Sequence, residues 1–391
     1  MSEVVIVGAG LGGLRAAESL RANGFTGAIT IVGDEPHLPY NRPPLSKEAL
    51  KGGVDVAGLE FRRKANVDDV TWRLGSPATS CDLNAQTVTL ADGSEVGFDG
   101  LVIATGIRPR DLGIPGPRNG QFFLRDAADA AALRERLTPG ARLLILGAGF
   151  IGCEVAATAR SLGCEVDVVT MDAVPMLRPL GTELGAAMQR RHEAHGVRFH
   201  TGRTVAEFLG DERVTSARLD DDTVLPCDVV LEAVGSVPNT EWLAGSDLDL
   251  ADGVLVDNTM RAMGTTVPVV AVGDVARYAH TLFDANPRRV EHWNLPTETG
   301  KRAGATLAAL LAGEAAPHTP FTPMPSFWSD QYEHKLQSFG LPGLADEVVI
   351  AQGEPDGSCV AEYRRGGVLV GVIGIDATAA LVPYRAALMA G

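Results

Sequence analysis

Residues 4–7 (Val-Val-Ile-Val) form a short β-branched run, Gly8-Ala9-Gly10-Leu11-Gly12-Gly13 reads as a turn, residues 14–21 have helical spacing, and residues 29–32 are apolar again. That order predicts a complete βαβ unit. The order returns with a strand over 142–146, a turn at Gly147-Ala148-Gly149-Phe150-Ile151-Gly152, a helix over 154–161 and a strand over 166–169, so the chain carries an internal duplication. A second pair of repeats supports it. Leu101-Val102-Ile103-Ala104-Thr105-Gly106 and Val229-Val230-Leu231-Glu232-Ala233-Val234-Gly235 are both apolar strands ending in glycine, followed three residues on by Pro109 and Pro238. A further strand, Val269-Val270-Ala271-Val272, ends in Gly273-Asp274 and has no counterpart. Turn chemistry at Asp92-Gly93 to Gly97 and at 220–223 predicts a small antiparallel hairpin in each half. After the prolines at 317, 320, 323 and 325, strands are predicted over 348–352, 360–364 and 368–375 and a helix from Ala377, a third domain of α+β type.

The bulk numbers narrow the function classes. A chain of 391 residues implies two or three domains, and a hydrophobic share of 45% is that of ordinary buried structure. No uninterrupted apolar run of about eighteen residues occurs, and the start MSEVVIVGAG has neither a basic region nor a cleavage site, so a cytoplasmic protein that crosses no membrane is expected. Net charge is −15 with the basic residues scattered, which argues against nucleic acid or anionic lipid as a partner. The five cysteines, Cys81, Cys153, Cys164, Cys227 and Cys359, show no C-x-x-C spacing, which points to buried thiols and not to a redox disulfide or a zinc knuckle. His192, His195 and His200 lie close together, but spacings of three and five do not converge on one ligand face, and no metal site is expected. The high glycine content, 45 residues against 5% aromatics, suits tight βα turns and backbone-lined ligand sites.

Those turns are the strongest chemical signal. A dinucleotide pyrophosphate lies against backbone N–H groups at a helix N-terminus, and glycines at the first, third and sixth positions let the turn close and the phosphate approach. Gly8, Gly10 and Gly13 meet that demand in the first copy, and Gly147, Gly149 and Gly152 in the second. The pattern also calls for an acid about twenty residues after the last glycine, to bind the adenosine ribose. Asp34 and Glu35 fit in the first copy, whereas the second has Thr170 at the strand end and Asp172 opposite Glu35. No arginine follows there to meet a 2′-phosphate, which puts NADH ahead of NADPH without excluding either.

Leu38-Pro39-Tyr40-Asn41-Arg42-Pro43-Pro44-Leu45-Ser46-Lys47, Glu291-His292-Trp293-Asn294 and Phe327-Trp328-Ser329-Asp330-Gln331-Tyr332 closely resemble three signatures of the ferredoxin reductases of Rieske-type dioxygenase and bacterial cytochrome P450 systems. With the paired glycine turns and Gly273-Asp274, the resemblance spans nearly the whole chain. It implies an α/β, glutathione-reductase-like fold with two Rossmann-type dinucleotide-binding domains plus a C-terminal α+β domain. The expected boundaries are 1–110 and 242–316 for a discontinuous FAD-binding domain, 111–241 for an NAD(P)-binding domain, and 317–391 for the C-terminal domain. The implied activity takes hydride from NAD(P)H to FAD and gives single electrons to a [2Fe–2S] ferredoxin that serves a cytochrome P450 or Rieske oxygenase. Rubredoxin reductases, NADH oxidases or diaphorases and the apoptosis-inducing factor share the fold and stand as alternatives.

Carried onto this chain, the resemblance sets Lys47 beside the flavin near N5 and Glu154 toward the nicotinamide carboxamide, as the catalytic candidates. Arg42, Thr105, Gly106, Gly273 and Asp274 become further FAD contacts, and Gly235 lets the second dinucleotide cross its strand end. Glu291 and Trp293 line the approach to the flavin, although Leu295-Pro296-Thr297 departs from the family's run there. Trp328 falls near the pyrimidine side of the flavin.

Overall fold

Val4, Val5, Ile6 and Val7 are each 3% exposed or less, because strand Glu3–Val7 lies mid-sheet, pairing in parallel with Ala28–Val32 on one side and Gly100–Ile103 on the other. Strands buried on both faces need no alternation, which explains the continuous apolar runs. The computed structural model describes residues 2–390. Its contacts divide the chain into two units. The first comprises residues 2–41, Val56–Arg108 and Pro238–Pro325; the second comprises Arg42–Asp55, Pro109–Val237 and residues 326–390.

The first unit is built on a parallel sheet in the order Val269–Ala271, Gly100–Ile103, Glu3–Val7, Ala28–Val32, Thr71–Arg73. The chain leaves strand Glu3–Val7 toward one edge and later returns on its other side, so turn 8–13 stands at a switch point, where open α/β sheets bind ligands. Helix Leu11–Ala22 packs against helix Leu295–Leu311. Pro296 lies in the first turn of the latter, where its missing N–H costs nothing, so the Leu-Pro-Thr departure is simply a helix start.

The second unit repeats the plan with Val197–Thr201, Glu165–Thr170, Arg142–Leu146, Val229–Glu232 and a short edge at Gln121–Phe122. Both fingerprint helices, Leu11–Ala22 and Phe150–Ser161, begin three or four residues earlier than the spacing predicts, since the last glycine of each turn is already helical. Helix Ala127–Arg136 starts on a capping box, Asp126 Oδ1 accepting from Asp129 N at 2.8 Å. The two expected hairpins are present, at Thr87–Leu90 with Glu95–Gly97 and at Ser216–Leu219 with Val224–Pro226.

The same unit holds a five-stranded antiparallel sheet in the order Ser326–Gln331, His334–Gly340, Val368–Ile375, Cys359–Arg365, Glu347–Gly353. The last three correspond to the predicted strands, and the expected terminal helix is a 3-10 turn, Thr378–Leu381, leading into Val382–Ala390. The first two strands escape hydrophobic patterning because Ser329, Gln331 and Ser338 occupy inward positions as fully buried polar side chains. Their hairpin turns at Tyr332, whose φ of 57° is left-handed. That conformation costs roughly 1–2 kcal/mol in a non-glycine residue, so contacts elsewhere must hold it.

Candidate functional sites

In the first unit Gly8 has a φ of +122°, and a Cβ there would fall 2.1 Å from the carbonyl oxygen of Ala104. Protein packing alone therefore demands glycine at this position. Gly10 is different: a Cβ would meet nothing within 4 Å. Helix Leu11–Ala22 begins on Gly10 with no side-chain cap and no acid in its first turn, so its N–H groups face that opening. The second unit has the same construction. Gly147 has a φ of +96° with its Cβ position 2.3 Å from Ala233 O, while Gly149, the bare N-cap of Phe150–Ser161, again meets nothing within 4 Å. Gly13 and Gly152 close the two turns against Gly8 and Gly147. Two uncapped helix ends, each with room left over its middle glycine, fit two pyrophosphates.

The strand ends at which an adenosine ribose is expected are unequal. Asp34 is exposed, and Glu35 Oε2 accepts from the Tyr40 hydroxyl at 2.5 Å. In the second unit Thr170 is buried and its Oγ1 accepts from Asp172 N at 3.2 Å. Arg203 N donates to Thr170 O at 3.0 Å, which brings an arginine to this strand end from beyond strand Val197–Thr201. Its Nε lies 2.8 Å from Asp221 Oδ2. Nothing in the local sequence after the second turn marks Arg203, because the neighbouring parallel strand supplies it.

The other expected residues of the first unit are held by separate local contacts. Thr105 Oγ1 donates to Asn239 O at 2.7 Å, and Gly106 O accepts from Asn239 N at 3.0 Å. Gly273 N donates to Thr299 Oγ1 at 3.0 Å. Arg289 Nη1 bridges Asp274 O at 3.1 Å and Glu291 Oε1 at 2.8 Å, drawing those two residues together. Trp293 is 40% exposed, with Nε1 donating to Asn41 Oδ1 at 3.0 Å. Close by in sequence, buried His280 packs at a tilt against Tyr278 with neither ring nitrogen partnered among the described residues, and burial followed by the charge of Arg288 pushes it down to about 4.

In the second unit the 3-10 turn Pro43–Ser46 delivers Lys47 to Glu154. Lys47 Nζ and Glu154 Oε2 lie 2.6 Å apart, both side chains largely buried. Ser46 Oγ donates to the same oxygen at 2.5 Å, and Ser329 Oγ donates to Oε1 at 2.7 Å. Glu154 stands beyond the first turn of its helix, where the dipole no longer accounts for an acid, so Lys47 and the two hydroxyls set its place. Removing one partner of such a buried pair costs about 3–5 kcal/mol, because the other charge is left uncompensated. Arg42 Nη1 donates to Arg125 O at 2.9 Å. Gly235 has a φ of +102° with open space at its Cβ position. Trp328, half-buried, lies on the face of its strand opposite Ser329.

All five cysteines are free thiols. Burial pushes Cys81 and Cys227 up to about 12 and raises Cys153, Cys164 and Cys359 as well. Among the described residues no His, Cys, Asp or Glu side chains cluster tightly enough to hold a metal ion, and no helix is long and apolar enough to cross a membrane. The three neighbouring histidines do not converge on one point, although two of them share Tyr332. His192 meets Gln331 and Tyr332, His195 stacks on Tyr332, and His200 meets Asp167.

Residues 2–300 match the family described as Pyridine nucleotide-disulphide oxidoreductase, and residues 326–391 match Reductase C-terminal. Rhodocoxin reductase of Rhodococcus erythropolis is 37% identical over 89% of this chain and 80% of its own length. The p-cumate 2,3-dioxygenase system ferredoxin--NAD(+) reductase component of Pseudomonas putida is 36% identical over 93% of this chain and 87% of its own. Among solved structures, the covalent putidaredoxin reductase-putidaredoxin complex superposes with a TM-score of 0.90 at 30% identity, over 99% of this chain and 93% of that one.

Proposed function

The chain belongs to the pyridine nucleotide-disulphide oxidoreductase family, and from that premise we propose that it is an FAD-dependent NAD(P)H:ferredoxin reductase that feeds a cytochrome P450 or Rieske oxygenase through a [2Fe–2S] ferredoxin. The observation that carries this is the repeated turn: two uncapped helix N-termini with open space over Gly10 and Gly149. The relatives supply the acceptor class, being reductases of ferredoxin-dependent systems. A cytoplasmic location goes with a carrier-protein partner of that kind. The domain assignment is FAD to 1–110 and 242–316, nicotinamide to 111–241, and the cover domain to 317–391.

Bound FAD supplies the conversion of a two-electron hydride into single electrons. The chain's own residues bind and orient. Gly8, Gly10 and Gly13 with Asp34 or Glu35 hold the adenosine half of FAD, while Arg42, Thr105, Gly106, Gly273 and Asp274 hold the rest. Gly147, Gly149, Gly152, Asp172 and Gly235 hold the nicotinamide dinucleotide. Lys47 would hold a positive charge toward the isoalloxazine, stabilising negative charge there, and Glu154 would accept from the nicotinamide carboxamide. Glu291, Trp293 and Trp328 restrict access to the ring.

The purified protein is expected to be yellow and to bleach when NADH or NADPH is added without oxygen. Cytochrome c reduction by NAD(P)H should depend strongly on added [2Fe–2S] ferredoxin, and equal rates without it would turn the assignment toward a diaphorase. Nicotinamide choice has its own test. Asp221 engages the Arg203 guanidinium, which is thereby kept from a 2′-phosphate. Asp221→Asn should raise kcat/KM for NADPH relative to NADH by about fivefold, the scale of one exposed charge contact. An unchanged ratio in parallel steady-state assays would remove Arg203 from the specificity site.

A further inference from the structure

Glu154 does not end with Lys47. Its Oε1 accepts from Ser329 Oγ at 2.7 Å, Ser329 Oγ accepts from Gln331 Nε2 at 3.0 Å, Gln331 Oε1 faces His192 Nε2 at 2.8 Å, and His192 Nδ1 faces the Tyr332 hydroxyl at 3.1 Å. Ser329, Gln331 and His192 are fully buried. The direction of every link is dictated from the carboxylate outward. A carboxylate paired with an ammonium is an acceptor only, so Ser329 must donate to it. The Ser329 oxygen then accepts a hydrogen bond from the amide NH₂ of Gln331, whose second contact, Met176 Sδ at 3.6 Å, is also an acceptor. That leaves the Gln331 carbonyl toward His192, which must carry its proton on Nε2 and present a bare Nδ1 to the Tyr332 O–H. Reversing the tautomer would flip the amide and take Ser329 away from Glu154.

We propose that His192 and Gln331 are positioning residues for the hydride-transfer site, holding the Glu154 carboxylate, and through it the Lys47 ammonium, by a hydrogen-bond chain of fixed direction. The idea rests on Lys47 and Glu154 being the pair that faces flavin and nicotinamide. The chain explains two otherwise unaccounted features: a buried histidine outside any metal cluster, and the left-handed Tyr332, which is fixed by its hydroxyl on His192 and by His195 stacked on its ring at 3.7 Å between centroids. A polar network with every member satisfied rigidifies its surroundings, and one broken link loosens the rest.

The first measurement is the histidine side-chain ¹⁵N spectrum of the holoprotein. It should show His192 neutral with the proton on Nε2 at neutral pH; an Nδ1–H or cationic ring overturns the chain whatever the flavin does. The second compares His192→Phe, which keeps the ring and removes both partners, with His192→Gln, which can donate to Gln331 and accept from Tyr332. His192→Phe should slow flavin reduction by NADH in stopped flow by about tenfold, the scale of a small misplacement of reacting groups. It should also lower the flavin midpoint potential while leaving the NADH dissociation constant near its original value, and His192→Gln should recover rate and potential. Should His192→Phe fail to fold, Ser329→Ala cuts the same chain with the loss of a single oxygen and should produce the same slowing and the same fall in potential. Unchanged rate and potential in the folded variants would overturn the proposal. A wild-type protein that NADH cannot bleach would instead sink the underlying assignment, which the ¹⁵N spectrum does not depend on.

Discussion

Gly149→Val is expected to leave a folded yellow protein that NADH no longer bleaches at ordinary concentrations, whereas Gly10→Val should leave a folded protein without colour. The expectation follows from what each glycine meets. A Cβ at Gly10 or Gly149 touches no protein atom within 4 Å, so the fold has no need of glycine there. A phosphate that must approach the backbone of the helix end does, and forcing branched carbons into that contact costs roughly 3 kcal/mol, about a hundredfold in affinity. Gly8 and Gly147 give the opposite result. Valine there collides with the Ala104 or Ala233 carbonyl at a positive φ, and the loss is of the fold itself. Flavin content by absorbance, NADH binding by titration and circular dichroism of the four variants separate the cases. A colourless Gly149→Val or a yellow Gly10→Val would reverse the assignment of the two sites.

The second large effect is on stability in acid. Burial pushes His192 down to about 4, assisted by the charges of His195 and His334 and opposed by the Gln331 hydrogen bond, and His280 is also lowered to about 4. Unfolded histidine titrates near 6.5, so between roughly pH 6.5 and 4 the unfolded chain binds more protons than the folded one. The stabilisation is complete above that window and is lost as pH falls through it. Each histidine contributes up to about 1.4 kcal/mol per pH unit, so the pair removes on the order of 5 kcal/mol by about pH 4.5. That is comparable with the whole stability of many domains. Thermal melts should therefore fall steeply between pH 6.5 and 4.5, and His280→Leu should flatten the dependence. A melting temperature level across this range would mean that both rings find proton acceptors on charging.

What could be read from the residues alone was whatever backbone geometry imposes. The glycine turns are legible because Gly8 and Gly147 have no alternative residue, and the strands beside them because burial on both faces keeps them apolar throughout. Pairing across long stretches of chain was not legible. Ser46 and Glu154 stand 108 positions apart, and Arg203 reaches Thr170 only because two parallel strands end side by side. Strand Ser326–Gln331 escaped because its inward positions are polar, and they are polar because Glu154 and His192 need partners there. Helix Ala127–Arg136 opens on Asp126 with Asp129 in the place where glutamate is the usual signal. Except at that helix start, whose contacts are local, the missed features are ones that a distant contact makes favourable.

The free thiols bear on how long such a catalyst lasts. Reduced flavin reacts with oxygen, and a protein that turns over in air is bathed in the peroxide it releases. Peroxide attacks thiolates, not thiols. With all five sulfurs unpaired and their ionisation pushed upward by burial, the chain presents almost no thiolate at neutral pH. Its cysteines are in effect spectators, and a thiol titration after turnover in air should still find them reduced.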